Sequence, residues 1–545
     1  MTDDKPQVEV RHKGLLVVVA MAAMTMQVLD STIANVALPH IRSSLGASQD
    51  TVSWVLTSYI VASAVATPAG GSLANRFGVR NVLLVSVLLF VVTSVLCGIA
   101  TSLPEIVAFR ILQGVGGALL APLTQTIMLD INKPSDHPRA MAIYGTGVMV
   151  GPITGPIIGG WLTEYLNWRW VFLVNLPIGV LCFAGLWFLM PKVPGKPRQF
   201  DFTGWALIGC AVAALQLLLD RGHVVDWFDA TEIWVEAVVA ICAFWMFLVH
   251  QATAERPLFP RALIADRNLM VSALCMFVLG ALLFSVSALM PGFTQGLMGY
   301  SVIGAGWLLA MRGTGVMLSS PLAGRLCAML DPRIVLASGF AIMIVSLWMM
   351  TGWTLEMDWR PIVLVSLIQG FGMGLVFVPL NLLAFATLDP ALRADGAGLF
   401  NLFRNLGASV GISIVIALLA TNTQISHADI AASITADRLG FDPGLLEGTG
   451  ETAAALAILD ALVYQQATMI AYLDDYWLLM ICCSIALPLL VLLRQPADRP
   501  AYPVGGTADR RPDDCEDPAA AEAAQGRQGA GSAHRGRNVQ ERRAP

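Results

Sequence analysis

Long apolar stretches recur along this chain with polar breaks between them. Windows of about 19 to 25 residues, each enough to cross roughly 30 Å of hydrocarbon as a helix, fall at approximately 14–38, 51–73, 81–100, 104–129, 140–163, 169–190, 203–219, 232–250, 268–290, 303–323, 333–352, 361–385, 397–420 and 476–494. The pattern predicts about fourteen transmembrane helices, and hence an all-α polytopic membrane protein. Two stretches break it. Residues 421–475 form a longer connection with one basic residue, Arg438. Beyond Pro496 an Ala/Gly/Arg/Asp/Pro-rich tail lacks apolar periodicity and is expected to be disordered.

An even number of spans puts both termini on one side, and basic residues choose which. With the N-terminus inside, the inner connections before the tail hold about 16 Lys and Arg against about 5 outside, the asymmetry that the positive-inside rule demands. Both termini are therefore expected in the cytoplasm. Composition agrees with a membrane protein: of 545 residues 56% are hydrophobic and 13% charged, with a mean hydropathy of +0.68. The net charge of -5 is spread over loops and tail with no basic stripe, which sets nucleic-acid binding aside. All cysteines but Cys515 lie in apolar segments, none in CxxC or Cys/His spacing, and they read as small core residues rather than disulfides or metal ligands. The basic start (Lys5, Arg11, Lys13) leads into an apolar run without a small-residue cleavage site, so the first window reads as an uncleaved span.

The chain also repeats itself. "PAGGSLANRFGVRNVLLVS" from Pro68 aligns without gaps on "PLAGRLCAMLDPRIVLASG" from Pro321, matching Pro68/Pro321, Gly71/Gly324, Leu73/Leu326 and Arg80/Arg333. "ILQGVGG" from Ile111 then falls on "LIQGFGM" from Leu367 at nearly the same offset. Two matches in order argue for duplicated halves of six helices each, with the seventh and eighth windows as an insert. The expected organisation is a cytoplasmic N-terminus at 1–13, a first half at 14–190, the insert with its linkers at 191–267, a second half at 268–494 including the outward segment 421–475, and the tail at 495–545.

Polar residues inside the windows carry the candidate chemistry. In "QVLDSTIANVALP" Asp30 is the one acid expected well inside a span, since Glu105, Asp130, Glu164, Asp220, Glu232 and Asp474 fall near predicted ends. An ionised carboxylate at the bilayer centre costs about 2.5 to 3.5 kcal/mol on insertion scales, and intramembrane ionisable groups are functional by default. Asp30 therefore reads as a proton carrier, with a neutral acid bonded to Ser31 or Thr32 as the bland alternative. Arg110 lies in "FRILQG" of the fourth window, and its counterpart in the repeat is Ser366, so the cation has a job specific to one half. A guanidinium keeps its proton and would act by biasing a nearby acid; otherwise it snorkels to the headgroups. Gln113, one turn on, either bonds substrate or packs against another helix. Arg312 in "MRGTG", and Arg404 in "NLFRNLG" with Asn401 beside it, are candidates for a polar cavity lining or for burial against helix-end carbonyls. "GVMVGPITGPIIGG" stacks Gly147, Gly151, Gly155 and Gly159 on one helix face, where backbones approach closely, and Pro152 and Pro156 bend that helix.

Over nearly its whole length to about Arg494 the chain resembles the major facilitator superfamily, in its fourteen-helix drug:proton antiporter branch of the EmrB/QacA type. The segments that carry the resemblance are "LDSTIANVALP", "GGSLANRFGVR", "RILQGVGGA", "GPITGPIIGG" and "NWRWVFLVNLPIG"; "LQLLLDRGHVVDWFDATEI", "FNLFRNLGASVGISI" and "YLDDYWLLM" look closest to the EmrB side of the branch. The resemblance implies a major facilitator fold of 6+2+6 helices, proton coupling at Arg110, and an antiporter motif along the glycine face at 147–159 that shapes the interface on which the halves rock. It also implies a cytoplasmic gating loop at Gly71, Asn75, Arg76, Gly78 and Arg80. Asn75 stands where that signature usually has aspartate, which puts a charge latch there in doubt; a helix cap at Asn75 and positive-inside anchoring by Arg76 and Arg80 stay open.

The expected function is proton-driven export of amphipathic or hydrophobic small molecules across a bacterial cytoplasmic membrane, in contact with lipid. No cofactor or metal is expected, and no GxxxxGK[ST] loop points to ATP. The rivals are a transporter of one endogenous metabolite or lipid, a transporter-like sensor, and a membrane enzyme; the last finds no HExxH, GxSxG or paired deep acids in the sequence. The EmrB-like segments leave room for a periplasmic adaptor and outer-membrane channel as partners, with 421–475 as the candidate contact.

Overall fold

Inside hydrocarbon every backbone N–H and C=O has to find its partner within its own segment, so the apolar windows have one regular solution, the helix. A computed structural model describes residues 5–193, 199–222, 225, 227–434 and 451–494, and among these the chain is helical throughout with no strand. The helices are α1 (Lys13–Leu45), α2 (Thr51–Phe77, tightened at Thr67–Ala69), α3 (Val79–Ile99), α4 (Leu103–Asp130), α5 (His137–Tyr165), α6 (Trp170–Leu189), α7 (Phe202–Arg221), α8 (Thr231–Thr253), α9 (Arg267–Pro291), α10 (Val302–Met329), α11 (Pro332–Met350), α12 (Trp359–Ala386), α13 (Arg393–Ser433) and α14 (Glu451–Leu489). Thirteen helices among the described residues are long and apolar enough to cross a membrane, and α10, with 28 residues, completes the predicted set.

Short polar signals set the helix ends. Ser48 and Thr51 close a reciprocal capping box ahead of α2, and Asp201, Asp266, Ser301, Asp331 and Asp358 each accept a backbone N–H at the start of α7, α9, α10, α11 and α12. Gly78, at φ 82°, makes the turn from α2 into α3, a backbone region that favours glycine.

The last two helices depart from the predicted bounds. Residues 421–475 are not a loop where the structure describes them: α13 runs 41 residues to Ser433, and α14 begins at Glu451, 39 residues long. A hydropathy window measures how apolar a segment is, whereas a helix needs only its own hydrogen bonds, and the Ala-rich stretch around 451–471 supplies good helix formers ahead of the predicted window. The predicted disordered tail, 495–545, lies outside the described residues.

Packing follows the repeat. In the first half α1 lies against α5 and α6, α4 against α2 and α3, and α3 against α6; in the second, α9 lies against α13, α12 against α10 and α11, and α14 against α11 and α13. The halves meet where α5 packs on α10 and α12, and where the end of α2 and the later part of α4 pack on α13. The repeat-matched glycines sit at equivalent crossings. Gly71 faces the Asp395 backbone of α13, and Gly324 faces Pro138 and Ala142 at the start of α5, both too close for a β-carbon to fit without movement. The insert helix α7 covers the α2/α13 seam, with Trp205 Nε1 donating to the Val65 carbonyl (3.0 Å), Ser409 Oγ to Gln216 Oε1 (2.8 Å) and Ser413 Oγ to the Leu219 carbonyl (2.8 Å). Beyond it α8 exposes Val238, Ile241 and Trp245, as a lipid-facing helix would.

Candidate functional site

Five helices of the first half converge on Asp30. Its side chain is fully buried and accepts three hydrogen bonds: from Arg110 Nη1 to Oδ2 at 2.6 Å, from Gln113 Nε2 to Oδ1 at 3.0 Å and from Asn175 Nδ2 to Oδ1 at 2.7 Å. Three-residue spacing on α4 puts Arg110 and Gln113 on one face, turned to α1. Arg110 Nη1 also donates to Gln113 Oε1 (2.9 Å) and its Nε to the Val55 carbonyl of α2 (3.0 Å), while the guanidinium lies 4.1 Å from the centroid of the Tyr59 ring. Asn175 Nδ2 also meets Ser94 Oγ of α3 at 2.9 Å, and that hydroxyl donates to the Phe172 carbonyl at 2.8 Å. Opposite charges in contact, saturated with donors, are what allows an ionised acid to persist away from water. Ser31 and Thr32, the partners of the bland alternative, do not bond Asp30: their hydroxyls bond backbone carbonyls of their own helix.

The glycine face of α5 seats the other side of α1. A β-carbon built on Gly151 would lie 2.7 Å from the Val28 side chain and 2.9 Å from the Leu29 nitrogen; one on Gly155 would run into Thr32, one on Gly147 into Met21, and one on Gly159 would lie 3.0 Å from Ile33. Thr25 and Thr32 donate to the carbonyls of Gly147 and Gly151, both at 3.3 Å. The four glycines therefore clamp the helix that carries Asp30. The seam with the second half is made by other residues of α5, with Gly145 against Phe377 and Tyr144 stacked on the same ring at 6.1 Å.

The halves are joined by polar contacts near the end of the bundle that carries the basic connections. Asn75 Nδ2 donates to Asp395 Oδ2 at 3.0 Å, and Arg393 pairs with Asp130 at 2.9 Å. Deeper, Gln125 bridges two helices of the opposite half, donating to Asn381 Oδ1 at 2.5 Å and accepting from Asn401 Nδ2 at 3.0 Å, with all three side chains buried.

Two helix-bundle halves, each shaped by the same repeat and joined through α5/α10 and α2/α13, match one family profile. That of the Major Facilitator Superfamily covers residues 20–412. The chain belongs to the major facilitator superfamily. Within this transporter superfamily it is 33% identical over 465 residues to "Multidrug export protein EmrB" of Escherichia coli (strain K12), covering 83% of this chain and 89% of that protein. It is 33% identical over 415 residues to "Fatty acid resistance protein FarB" of Neisseria gonorrhoeae, covering 76% and 82%. Among solved structures its fold is similar to the human organic anion transporter MFSD10 (TETRAN), with a TM-score of 0.57 at 15% identity over 86% of this chain and 99% of that one. The proton:xylose symporter XylE gives 0.55 at 13% identity over 86% and 94%. At such identities the likeness is one of fold.

The remaining residues singled out in the sequence fall in several places of this major facilitator fold. Gln113 belongs to the Asp30 cluster and Asn401 to the Gln125 bridge; both are buried. Arg312 is buried in the second half against Ser287 Oγ (3.1 Å) and the Leu283 carbonyl (3.3 Å). Arg404, partly exposed, touches Asn405 and lies within electrostatic reach of Tyr144 across the seam. Of the gating loop, Asn75 reaches the opposite half. Arg80 instead donates to the Trp187 carbonyl (2.6 Å) and lies over that ring, tying α3 to α6, and Arg76 lies over Phe77.

One expectation needs correction: Asp30 is not the only acid buried within a span helix. Asp475 of α14 is 1% exposed. It lies just before the last apolar window, which starts at 476. Asn175 lies in "NWRWVFLVNLPIG"; its signal is an amide within an apolar run.

Proposed function

We propose that this chain is a proton-driven exporter of amphipathic or hydrophobic small molecules in the cytoplasmic membrane of a bacterium, with its basic connections and both termini facing the cytoplasm. The observation that carries the reading is the buried Asp30–Arg110 pair with Gln113 and Asn175 as further donors. In the conformation described here the halves are bonded at the basic end and Asp30 accepts from three donors. A proton on Asp30 removes the charge that Arg110 holds, so the two protonation states favour different arrangements of α1 and α4, and a ligand with unequal affinity for those arrangements is coupled to the proton. The membrane potential supplies about 2.3 kcal/mol per charge per 100 mV.

The relative named for multidrug export supports a broad substrate range. The relative named for fatty acid resistance favours a second reading, a dedicated exporter of lipid-like acids. Where the chain works with a periplasmic adaptor and outer channel, the continuations of α13 and α14 past their apolar windows, linked by His427 and Asp460 at 3.0 Å, are the proposed contact.

Purified protein in liposomes under an imposed pH gradient tests the function, with neutral, anionic and cationic compounds deciding between the two substrate readings. Uphill transport by an Asp30→Asn variant would overturn the coupling. Copurification from native membranes without an adaptor would remove the partner.

A further inference from the structure

The second half holds a buried acid of the opposite kind to Asp30. Asp475 is 1% exposed, both of its carboxyl oxygens are buried, and neither has a hydrogen-bond partner among the described residues. Counted along the helices, it lies about 28 Å from Arg494 at the basic end, and Asp30 about 25 Å from Lys13 at the same end. Each half thus carries one buried acid well along a helix from the basic end.

Tyr472 and Tyr476, on either side of Asp475 along α14, belong to an aromatic cluster. Phe293 stacks on Trp353 at 5.1 Å, Trp353 meets Tyr476 edge-on at 5.6 Å, and Tyr472 meets Phe293 at 5.4 Å. Asp475 lies within electrostatic reach of Tyr472 and Tyr476, and the Trp353 Nε1 is another buried group without a partner among the described residues.

Among the described residues the charged and titratable groups on the packed elements give Asp475 no counter-charge: Asp474 is a like charge within reach, and Arg312 is within electrostatic reach of Tyr476. On α14 itself, Asp474 is met by Asn422 of α13 at 3.5 Å and Tyr476 donates to Met290 Sδ of α9 at 3.7 Å. His427 of α13 pairs with Asp460, and Arg312 of α10 is held by Ser287 and Leu283. On α11 the one charged residue, Arg333, is at the basic end, as is Arg267 on α9, whose remaining titratable group is Cys275. An ion buried without counter-charge or donors costs far more than a neutral carboxyl in the same place.

We propose that Asp475 is a second proton-carrying carboxyl, so that two protons are bound per cycle, one in each half. It holds its proton in the conformation closed at the basic end. An O–H bond forms at Asp475 with a proton from water on the far side, and it breaks to water on the basic side after the halves rock. This rests on the proton-driven reading above, and its test separates the two.

Infrared spectra of the purified full-length protein at neutral pH are expected to show the carbonyl band of a protonated buried carboxyl, lost in Asp475→Asn and kept in Asp30→Asn. In liposomes with the potential clamped at zero and Nile red as a neutral probe, the steady dye ratio should follow the square of the proton ratio in the wild type and its first power in Asp475→Asn. A band untouched by Asp475→Asn, or an unchanged square dependence, overturns the proposal. So does a defect confined to the cation ethidium, which would make Asp475 a substrate ligand. Should Asp475→Asn fail to fold, Asp475→Glu replaces it: a displaced band supports the proposal and an unmoved one overturns it. Absence of any dye movement in the wild type defeats the exporter reading alone, and loss of the infrared band in Asp475→Asn then still supports Asp475 as the proton holder.

Discussion

Asn175 donates to Asp30 at 2.7 Å through the interior of the first half, tying α6 to α1. Its amide faces the Oδ1 that Gln113 also serves, while Arg110 takes Oδ2. Hydrogen bonds to charged groups contribute about 1.5 to 3 kcal/mol, so Asn175→Ala should destabilise the first half by about that amount and slow transport. Thermal unfolding in detergent and a proton-gradient assay in liposomes check this, and wild-type values in both would remove Asn175 from the site.

Arg110 and Asp30 should behave as a unit in stability. Removing one partner of a buried pair leaves an uncompensated charge and costs about 3 to 5 kcal/mol. Arg110→Gln alone is therefore expected to lower the unfolding temperature strongly, and Arg110→Gln combined with Asp30→Asn to cost less than the sum of the two single changes. Thermal unfolding of the four proteins in detergent gives the coupling; additive effects would mean that the contact contributes nothing of its own.

Position 151 is expected to tolerate no side chain. Its β-carbon would meet the backbone nitrogen of Leu29 at 2.9 Å, next to Asp30, and backbone yields less readily than a flexible side chain. Gly151→Ala should destabilise by about 1 to 3 kcal/mol through overpacking and slow transport by displacing α1. Gly160, with nothing within 4 Å of its β-carbon position, is the control: Gly160→Ala should leave both readouts near wild type.

The contact between Asn75 and Asp395 makes a neutral-to-charged latch out of a position where the superfamily signature usually has an acid. Asn75→Asp would set two carboxylates against each other at a 3.0 Å contact and should loosen the basic end. Adding Asp395→Asn reverses the donor and acceptor and should restore closure. Thiol labelling of a cysteine placed at Gly398, which faces the Thr67 carbonyl across this seam, reads the change. Equal labelling in Asn75→Asp and wild type would show that the latch carries no closure energy.

Asp30 and Arg110 were legible because a charge in an apolar window has no other cheap explanation, and Gln113 followed from its spacing to Arg110. Asn175 was not, since a neutral amide costs little enough in such a window to pass unremarked. Asp475 was hidden for a different reason. Hydropathy reports where a segment is apolar, and α14 begins about seven turns before the last predicted window does.

By itself the sequence determined the helices, the duplicated halves and the presence of an acid and a cation in the first of them. Those follow from local rules: backbone bonds that must close within each segment, and charges that stand out in hydrocarbon. Only the tertiary structure decided which groups meet. It turned the α5 glycines toward α1, gave Asn75 an acid for a partner, and bonded Asp30 while leaving Asp475 bare. Contacts between helices depend on rotation and depth, which local sequence pattern specifies only to within a face and a turn.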